Sequence, residues 1–315
     1  MSQPSYTILQ HRAVVTLRGP DVRSFLQGIV SNDVARVSTD RALWSAFLTP
    51  QGKFLHEFFL VERPGAGNAG DAGDAGDAGG GETLFWLECE AERRADLLRR
   101  LKLYKLRAKV ELSDTAEAYA VAALFGPGAA AALALDAEAP GRARDFAGGV
   151  AFLDPRLAAL GARALLPRDG AESALEAAGF AAARAADYDA VRIGLGVPDG
   201  SRDLEVEKAL LLESGFDELN GLDWQKGCYM GQELTARTRY RGLVKKRLLP
   251  VEIEGPVPAP GTPVLSGERE AGVLRSTADG RALALLRLEH IGEGAPPLTA
   301  GGARLTVVKP AWARF

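Results

Sequence analysis

The chain has 315 residues, 47% of them hydrophobic and 25% charged, enough to bury substantial cores in two or three folding units. A net charge of -3 and a pI near 5.8 exclude global attraction to nucleic acid or acidic membranes, so anion binding has to come from a local patch. Two cysteines, Cys89 and Cys228, exclude a disulfide framework; together with His11, His56 and His290 they form no CxxC, HxxxH or HExxH spacing, which excludes a closed zinc or four-cysteine cluster site within one chain.

The opening M-S-Q-P-S-Y-T-I lacks the regions of a signal peptide, and no apolar run reaches bilayer length, so a cytoplasmic protein without membrane association is expected. Residues 7–17 alternate apolar and polar side chains and predict a strand, followed by a turn at Gly19-Pro20-Asp21 and a helix starting at Asp21. Strand-like runs at 43–48 and 54–61 flank T-P-Q-G-K, which predicts a β-hairpin. Residues 65–81 carry a tandem D-A-G repeat with nothing large enough to pack. Chain entropy wins there, so a disordered surface loop is expected; its aspartates lack the closing Glu of a calcium loop.

Residues 83–89, 91–103 and 107–112 read as strand, amphipathic helix and strand. An Ala-rich tract at 116–186, broken by Gly and Pro, predicts short strands and helices in alternation. Beyond residue 247, short strands separated by turn residues at even intervals predict a small β-barrel. The fold class that results is α+β, two mixed units followed by a β unit.

Unusual residues are densest at 222–247, L-D-W-Q-K-G-C-Y-M-G-Q-E-L-T-A-R-T-R-Y-R-G-L-V-K-K-R. Cys228 sits between Gly227 and Gly231, where the backbone can turn sharply and leave the sulfur approachable. Lys226 and a helix start expected at 231–233 both favour thiolate over thiol. Cys89, inside an alternating strand, is read as structural. Arg237, Arg239, Arg241, Lys245, Lys246 and Arg247 place six cations in eleven residues around Tyr240. Such a run suits a polyanion: the glutamate tail of a folate, a phosphate backbone or an acidic protein.

K-G-C-Y-M-G-Q-E at 226–233, with A-R at 236–237 and Y-R-G at 240–242, resembles the signature of the YgfZ family. These are folate-binding relatives of the aminomethyltransferase (T-protein) of the glycine cleavage system, and their mitochondrial counterparts help mature iron-sulfur proteins. F-L-Q-G-I-V-S-N-D-V at 25–34, F-L-T-P-Q-G-K-F-L at 47–55, L-Y-K-L-R-A-K-V at 103–110, R-I-G-L-G-V-P at 192–198 and the stretch 213–217 continue the resemblance in order. It covers nearly the whole chain.

The resemblance implies a three-domain cloverleaf of aminomethyltransferase type, two α+β domains around a central channel plus a C-terminal β-barrel. The expected boundaries are 1–45 with about 115–225 for the first α+β domain, 46–114 for the second, 226–247 for the Cys motif and basic connector, and 248–315 for the barrel. It implies that Cys228 and Lys226 carry the chemistry, with Cys228 contacting iron or a cluster only transiently and no permanently bound metal. Tetrahydrofolate or another folate derivative is assigned to Arg192, Glu213, Trp224, Tyr229, Gln232, Glu233, Arg237 and Arg241. Two departures stand out: His56-Glu57 replaces the Asp pair of the aminomethyltransferases, and Gly194 replaces a pteridine-binding Glu.

The function expected is a folate-binding accessory protein for assembly or repair of iron-sulfur proteins, acting through Cys228 on assembly or client proteins. Any effect on tRNA modification is expected to be indirect, without direct nucleic-acid contact. The alternatives are a tetrahydrofolate-dependent aminomethyl transferase and a direct tRNA-binding modification factor.

Overall fold

The computed structural model of the protein describes residues 3–64, 83–242, 244–292 and 294–315; the D-A-G repeat lies outside the described residues. The chain divides into two compact units. One comprises Met1–Phe47, His56–Ala182 and Gly221–Met230, the other Leu48–Leu55, Ala183–Asn220 and Gly231–Phe315.

In chain order the first segments are β1 (Ser5–Ile8), β2 (Arg12–Arg18), α1 (Val22–Gln27), β3 (Leu43–Leu48), β4 (Phe54–Arg63), β5 (Leu84–Glu90), α2 (Arg94–Lys105), β6 (Glu111–Asp114), β7 (Tyr119–Phe125), α3 (Ala129–Ala132), β8 (Ala143–Phe146), β9 (Gly149–Leu153), β10 (Ala162–Pro167), α4 (Ala171–Ala177) and β11 (Ala181–Ala182). They build two mostly antiparallel sheets, ordered β3-β4-β5-β2-β6 and β11-β1-β7-β10-β9-β8. The one strand expected at 7–17 is two strands. The Arg12 N–H closes a turn onto the Leu9 carbonyl at 2.9 Å, and β1 then pairs with β7 while β2 pairs with β5. Gln10, His11 and Arg12 are three polar residues in a row, and this break in the alternation is where the chain turns.

Strand alternation explains the layers of this unit. On β2, β4 and β5, the side chains Leu17, Phe58, Leu60, Phe85 and Leu87 point to one face and pack with Phe25, Leu26, Leu97 and Leu101 of α1 and α2. On the other sheet, Ala122, Leu124, Ala162 and Ala164 pack with Ala129 and Leu175 of α3 and α4. The residues between them on the central strands face the opposite way and are largely buried as well, so these strands are covered on both faces.

That second layer carries charge. Arg12 pairs with Glu57 at 2.5 Å and with Glu88, Arg163 reaches Glu88 at 3.2 Å and Asp154 at 3.3 Å, and Arg156 pairs with Asp154 at 2.7 Å. Three guanidinium groups meet three carboxylates. Phe59 lies under both Arg156 and Arg163, with the cations 4.9 and 4.2 Å from its ring centre, and the Trp44 indole N–H donates to Glu57. Removing any single partner would leave a buried charge uncompensated.

The second unit contains α5 (Ala185–Gly194), α6 (Gly200–Asp203), α7 (Gln232–Tyr240), β12 (Lys246–Glu254), β13 (Pro263–Ser266), β14 (Arg269–Ala278), β15 (Arg281–Arg287), β16 (Leu298–Ala300) and β17 (Ala303–Val307). Its strands close into a barrel in the order β12-β15-β14-β13-β16-β17, as the even spacing of strands and turns predicts. Val251, Val264, Leu274, Leu286 and Leu305 fill it, and Ile193 of α5 packs with Leu248 and Leu283 outside that core.

His56 is 2% exposed in the first unit, with its Nε2 3.1 Å from the Asp96 carboxylate. Burial, aided by Arg93, pushes its pKa down to about 4 in spite of Asp96. The unfolded chain therefore takes up a proton near pH 6.5 that the folded chain refuses until about pH 4. Stability contributed by neutral His56 is full above pH 6.5 and is lost as pH falls through that window, on the order of 3 kcal/mol in total. Urea unfolding of His56→Gln should lose this slope between pH 6.5 and 4 while the wild-type protein keeps it.

Candidate functional site

Cys228 is exposed and lies on the loop that precedes α7. The loop is irregular, yet it is bound at several points to the segment after α1. Ser31 Oγ donates to the Gly221 carbonyl at 2.7 Å, the Asp223 N–H to Ser31 O at 3.1 Å, and the Met230 N–H to Gly28 O at 3.1 Å. Met230 itself packs against the core that holds Phe25 and Leu26. Q-G-I-V-S thus forms the bed of the cysteine loop. Its sequence match was visible, but nothing in residue type announced that role.

Lys226 is part of this bed. Its ammonium donates to the Gln27 carbonyl at 2.7 Å and to that of Val30, and lies 5.1 Å from the centre of the Tyr229 ring. Gln27 returns a hydrogen bond to the Lys226 carbonyl at 3.3 Å and another to Asp33 at 2.8 Å. Burial pushes the Lys226 pKa down to about 8, against the attraction of Asp33 and Asp223. The ammonium is therefore engaged in holding the loop from below. Tyr229 is buried beside it, while Trp224 and Cys228 remain exposed on the loop. Cys89 is buried in the helix-facing core, where burial pushes its thiol pKa well above the usual range.

The motif continues into the second unit at Gly231, which has φ +78°. A Cβ there would lie 2.5 Å from the Thr49 carbonyl oxygen and 2.9 Å from Gly52 Cα. Gly52, at φ +81°, is equally crowded: its Cβ would sit 2.6 Å from the Gly231 carbonyl oxygen. The hairpin turn T-P-Q-G-K and the start of α7 meet backbone to backbone, and two glycines are the condition for it. Gly231→Ala should cost about 2–4 kcal/mol in thermal or urea unfolding, through both the clash and the left-handed backbone.

On α7 and beyond, the basic run separates into different environments. Arg237, Arg239, Tyr240, Arg241 and Lys245 are exposed, with Tyr240 at 80%. Arg237 reaches only toward Glu233, at 4.0 Å, and Glu233 itself extends into solvent. Gln232 opens the helix and is half-buried. Arg247 instead pairs with Glu218 and covers the Phe315 ring at 4.7 Å. Lys246 lines a cavity of about 190 Å³ together with Asp203, Glu205, Lys208, Glu213 and Arg275.

In this cavity burial raises the pKa of Glu213, with Lys246 and Lys53 pulling the other way. The Arg275 Nε is buried and has no hydrogen-bond partner among the described residues. A polar ligand would therefore find a carboxyl group able to change protonation, an unused guanidinium N–H and flanking lysines. Arg192 lies elsewhere. It is fully buried and pairs with Asp189 at 2.5 Å and Asp203 at 2.7 Å, while the Asp203 carboxylate also accepts the Ser276 N–H at 3.0 Å. Arg192 thereby joins α5, α6 and β14.

Gly194 closes α5, and a Cβ on it would meet the Arg281 guanidinium at 2.9 Å. The two residues standing in for the aminomethyltransferase Asp pair are both buried, Glu57 held by Arg12 and Trp44, His56 by Asp96. Among the described residues no three His, Cys, Asp or Glu side chains gather into a metal site.

Comparison with known proteins puts this geometry in a family. Residues 245–315 match the family described as CAF17, C-terminal beta-barrel domain. The whole chain overlays the crystal structure of glycine cleavage system aminomethyltransferase T from Bartonella henselae with a TM-score of 0.75 at 16% identity, covering 99% of this chain and 87% of that one. The α+β class, the aminomethyltransferase-type fold and the C-terminal barrel are therefore as expected.

Among curated relatives, the mitochondrial iron-sulfur cluster assembly factor IBA57 of Mus musculus is 34% identical over 325 residues, 96% of this chain and 84% of that protein. The Homo sapiens protein of the same name is 34% identical over 90% of this chain and 77% of its own length. A homolog from Coccidioides immitis is 33% identical, and the chain spans 65% of it. These relatives are named as mitochondrial, which overturns the cytoplasmic location expected from the first residues. On this identity and coverage, the chain belongs to the IBA57 family of iron-sulfur cluster assembly factors.

Proposed function

We propose that this protein assists the assembly or repair of iron-sulfur proteins by lending Cys228 as one thiolate ligand to iron, or to a cluster, whose other ligands come from a partner protein. The observation that carries this reading is an exposed cysteine on a loop pinned from below, in a chain where no three His, Cys, Asp or Glu side chains gather into a metal site among the described residues. Iron-sulfur clusters are ordinarily held by four protein ligands, so a single thiolate can hand a cluster on but cannot retain it. Tyr229 and Lys226 hold the loop, and the exposed Trp224 is available to a docking partner. Effects on tRNA modification follow indirectly, through the iron-sulfur enzymes that carry it out. In cells lacking the endogenous protein, Cys228→Ser should fail to restore the activity of a [4Fe-4S] enzyme under oxidative stress, although the variant accumulates and melts like wild type. Full restoration would refute the role of the thiol.

The cavity that holds Glu213, Lys246 and Arg275 is the place proposed for part of a folate derivative. At about 190 Å³ the cavity falls short of the roughly 300 Å³ at which pockets for drug-sized ligands begin, so it suits one ring system of a folate rather than the whole molecule. Glu213 and the unused Arg275 N–H supply the polar contacts, while the exposed Arg237 and Arg241 offer cations to a glutamate tail. An aminomethyl transferase is the weaker reading, because His56 and Glu57 are buried in pairs of their own. Tetrahydrofolate titration followed by tryptophan fluorescence should give equal affinity for wild type and Cys228→Ala, and about tenfold weaker binding for Glu213→Gln.

A further inference from the structure

The C-terminal end of α2 has features that neither the cysteine loop nor the charged cavity uses. Leu103 is 63% exposed, Tyr104 39% and Leu106 88%, the three largest exposures of large apolar side chains among the described residues of the first unit, ahead of Trp224 at 36%. Residues 97–110 read L-L-R-R-L-K-L-Y-K-L-R-A-K-V, six cations and no carboxylate. Asp96 engages Arg99 at 2.5 Å and Arg100 at 2.8 Å. Lys102, Lys105, Arg107 and Lys109 have no ion-pair partner among the described residues, and all but the half-buried Lys105 are exposed.

Leu106 is also held in a conformation that a leucine avoids. Its φ is 45° and its ψ -109°. The Ala108 N–H closes the turn onto the Lys105 carbonyl at 2.8 Å, with Leu106 in the second position. These values lie close to the first central residue of a type II′ turn, the place where glycine is the residue of choice. The turn does not drift into that shape. The Lys109 N–H is bound by Asp21 at 2.7 Å, and Gly19 has room for nothing larger, since a Cβ on it would lie 2.1 Å from the Lys109 carbonyl oxygen. A strained leucine kept almost wholly in solvent, where glycine would relieve both costs, has to be explained by something outside the fold.

We propose that the turn spanning residues 102–109 is a peripheral membrane-docking tip that inserts Leu103 and Leu106 among the acyl chains of an anionic phospholipid surface while Lys102, Lys105, Arg107 and Lys109 lie over the headgroups. Three exposed side chains at one turn are too few for a stable protein interface, which buries about 1,000 Å² or more. A deformable lipid surface needs no such complementary area. Protruding leucines ringed by long-stemmed cations are the combination that binds it, apolar burial and headgroup attraction each contributing. Lys side chains can lay their methylenes along the interface with the ammonium in the headgroup layer. Membrane association is set apart here from membrane crossing, since no helix among the described residues is long and apolar enough to span a bilayer.

The full-length protein should co-sediment with vesicles of phosphatidylcholine and phosphatidylglycerol, release as salt is raised, and stay in solution with vesicles of phosphatidylcholine alone. Leu106→Gly gives a direct test, because it removes the anchor and relieves the turn at once. It should weaken vesicle binding about tenfold or more while melting no lower than wild type. Lys102→Glu combined with Lys105→Glu should abolish binding and leave Cys228 as reactive toward a thiol reagent as before. Equal binding to neutral vesicles, undiminished binding by Leu106→Gly, or no binding to anionic vesicles would overturn the proposal, the last leaving the patch to an acidic protein partner.

Discussion

Gly231 has no room for a side chain, and the path of the backbone into α7 is organised by that fact. With the Thr49 carbonyl oxygen 2.5 Å from where a Cβ would stand, and with Gly52 under the same restriction, the hairpin turn and the first residue before α7 have to cross at backbone distance. Two positive φ angles, +81° at Gly52 and +78° at Gly231, make the crossing. One residue earlier the Met230 N–H is tied to Gly28 and its side chain to the α1 core. Cys228 is therefore presented by a segment whose downstream end is determined by backbone geometry, while Lys226 secures it upstream through the Gln27 and Val30 carbonyls. An exposed thiol on a pinned loop is held in a repeatable position.

The protein treats charge in two contrasting ways. Between the sheets, Arg12, Arg156 and Arg163 are matched one for one with Glu57, Glu88 and Asp154, and His56 is kept neutral by burial. Arg192 is similarly enclosed by Asp189 and Asp203. Each of these arginines, like His56, is buried against a partner within the fold. On the surface, by contrast, Lys102, Lys105, Arg107 and Lys109 are left without acids, and Arg237 and Arg241 extend into solvent. A net charge of -3 conceals both arrangements, because a balanced interior and an unbalanced patch vanish alike in a sum.

Residues assigned to one site by their motifs separate on the same grounds. Cys228 and Trp224 are exposed, Lys226 and Tyr229 support them, Glu213 and Lys246 share a cavity, and Arg192 is a structural joint. The residue type is the same for Arg192 and Arg237. Their neighbours differ, and neighbours decide whether a guanidinium is a clamp or a contact.

The amino-acid sequence by itself determined the local elements and the loop character of the segment around Cys228. T-P-Q-G-K predicts its turn because Pro and Gly restrict and release φ where a hairpin needs it, the evenly spaced C-terminal strands predict the barrel, and the glycines around Cys228 mark a loop rather than a core strand. Those signals are local, so they survive without knowledge of the fold. Tertiary structure alone decided that β1 and β2 part into different sheets, that Q-G-I-V-S is the bed of the cysteine loop, that Lys226 serves carbonyls, and that Glu57 and Arg192 are spent on buried partners. Most of these depend on residues dozens to hundreds of positions away, and the partners of Arg192, though 3 and 11 positions off, are brought to it only by the folding and packing of α5 and α6. A carboxylate or guanidinium carries no mark in the sequence of whether its counter-charge will be delivered by folding or by a ligand.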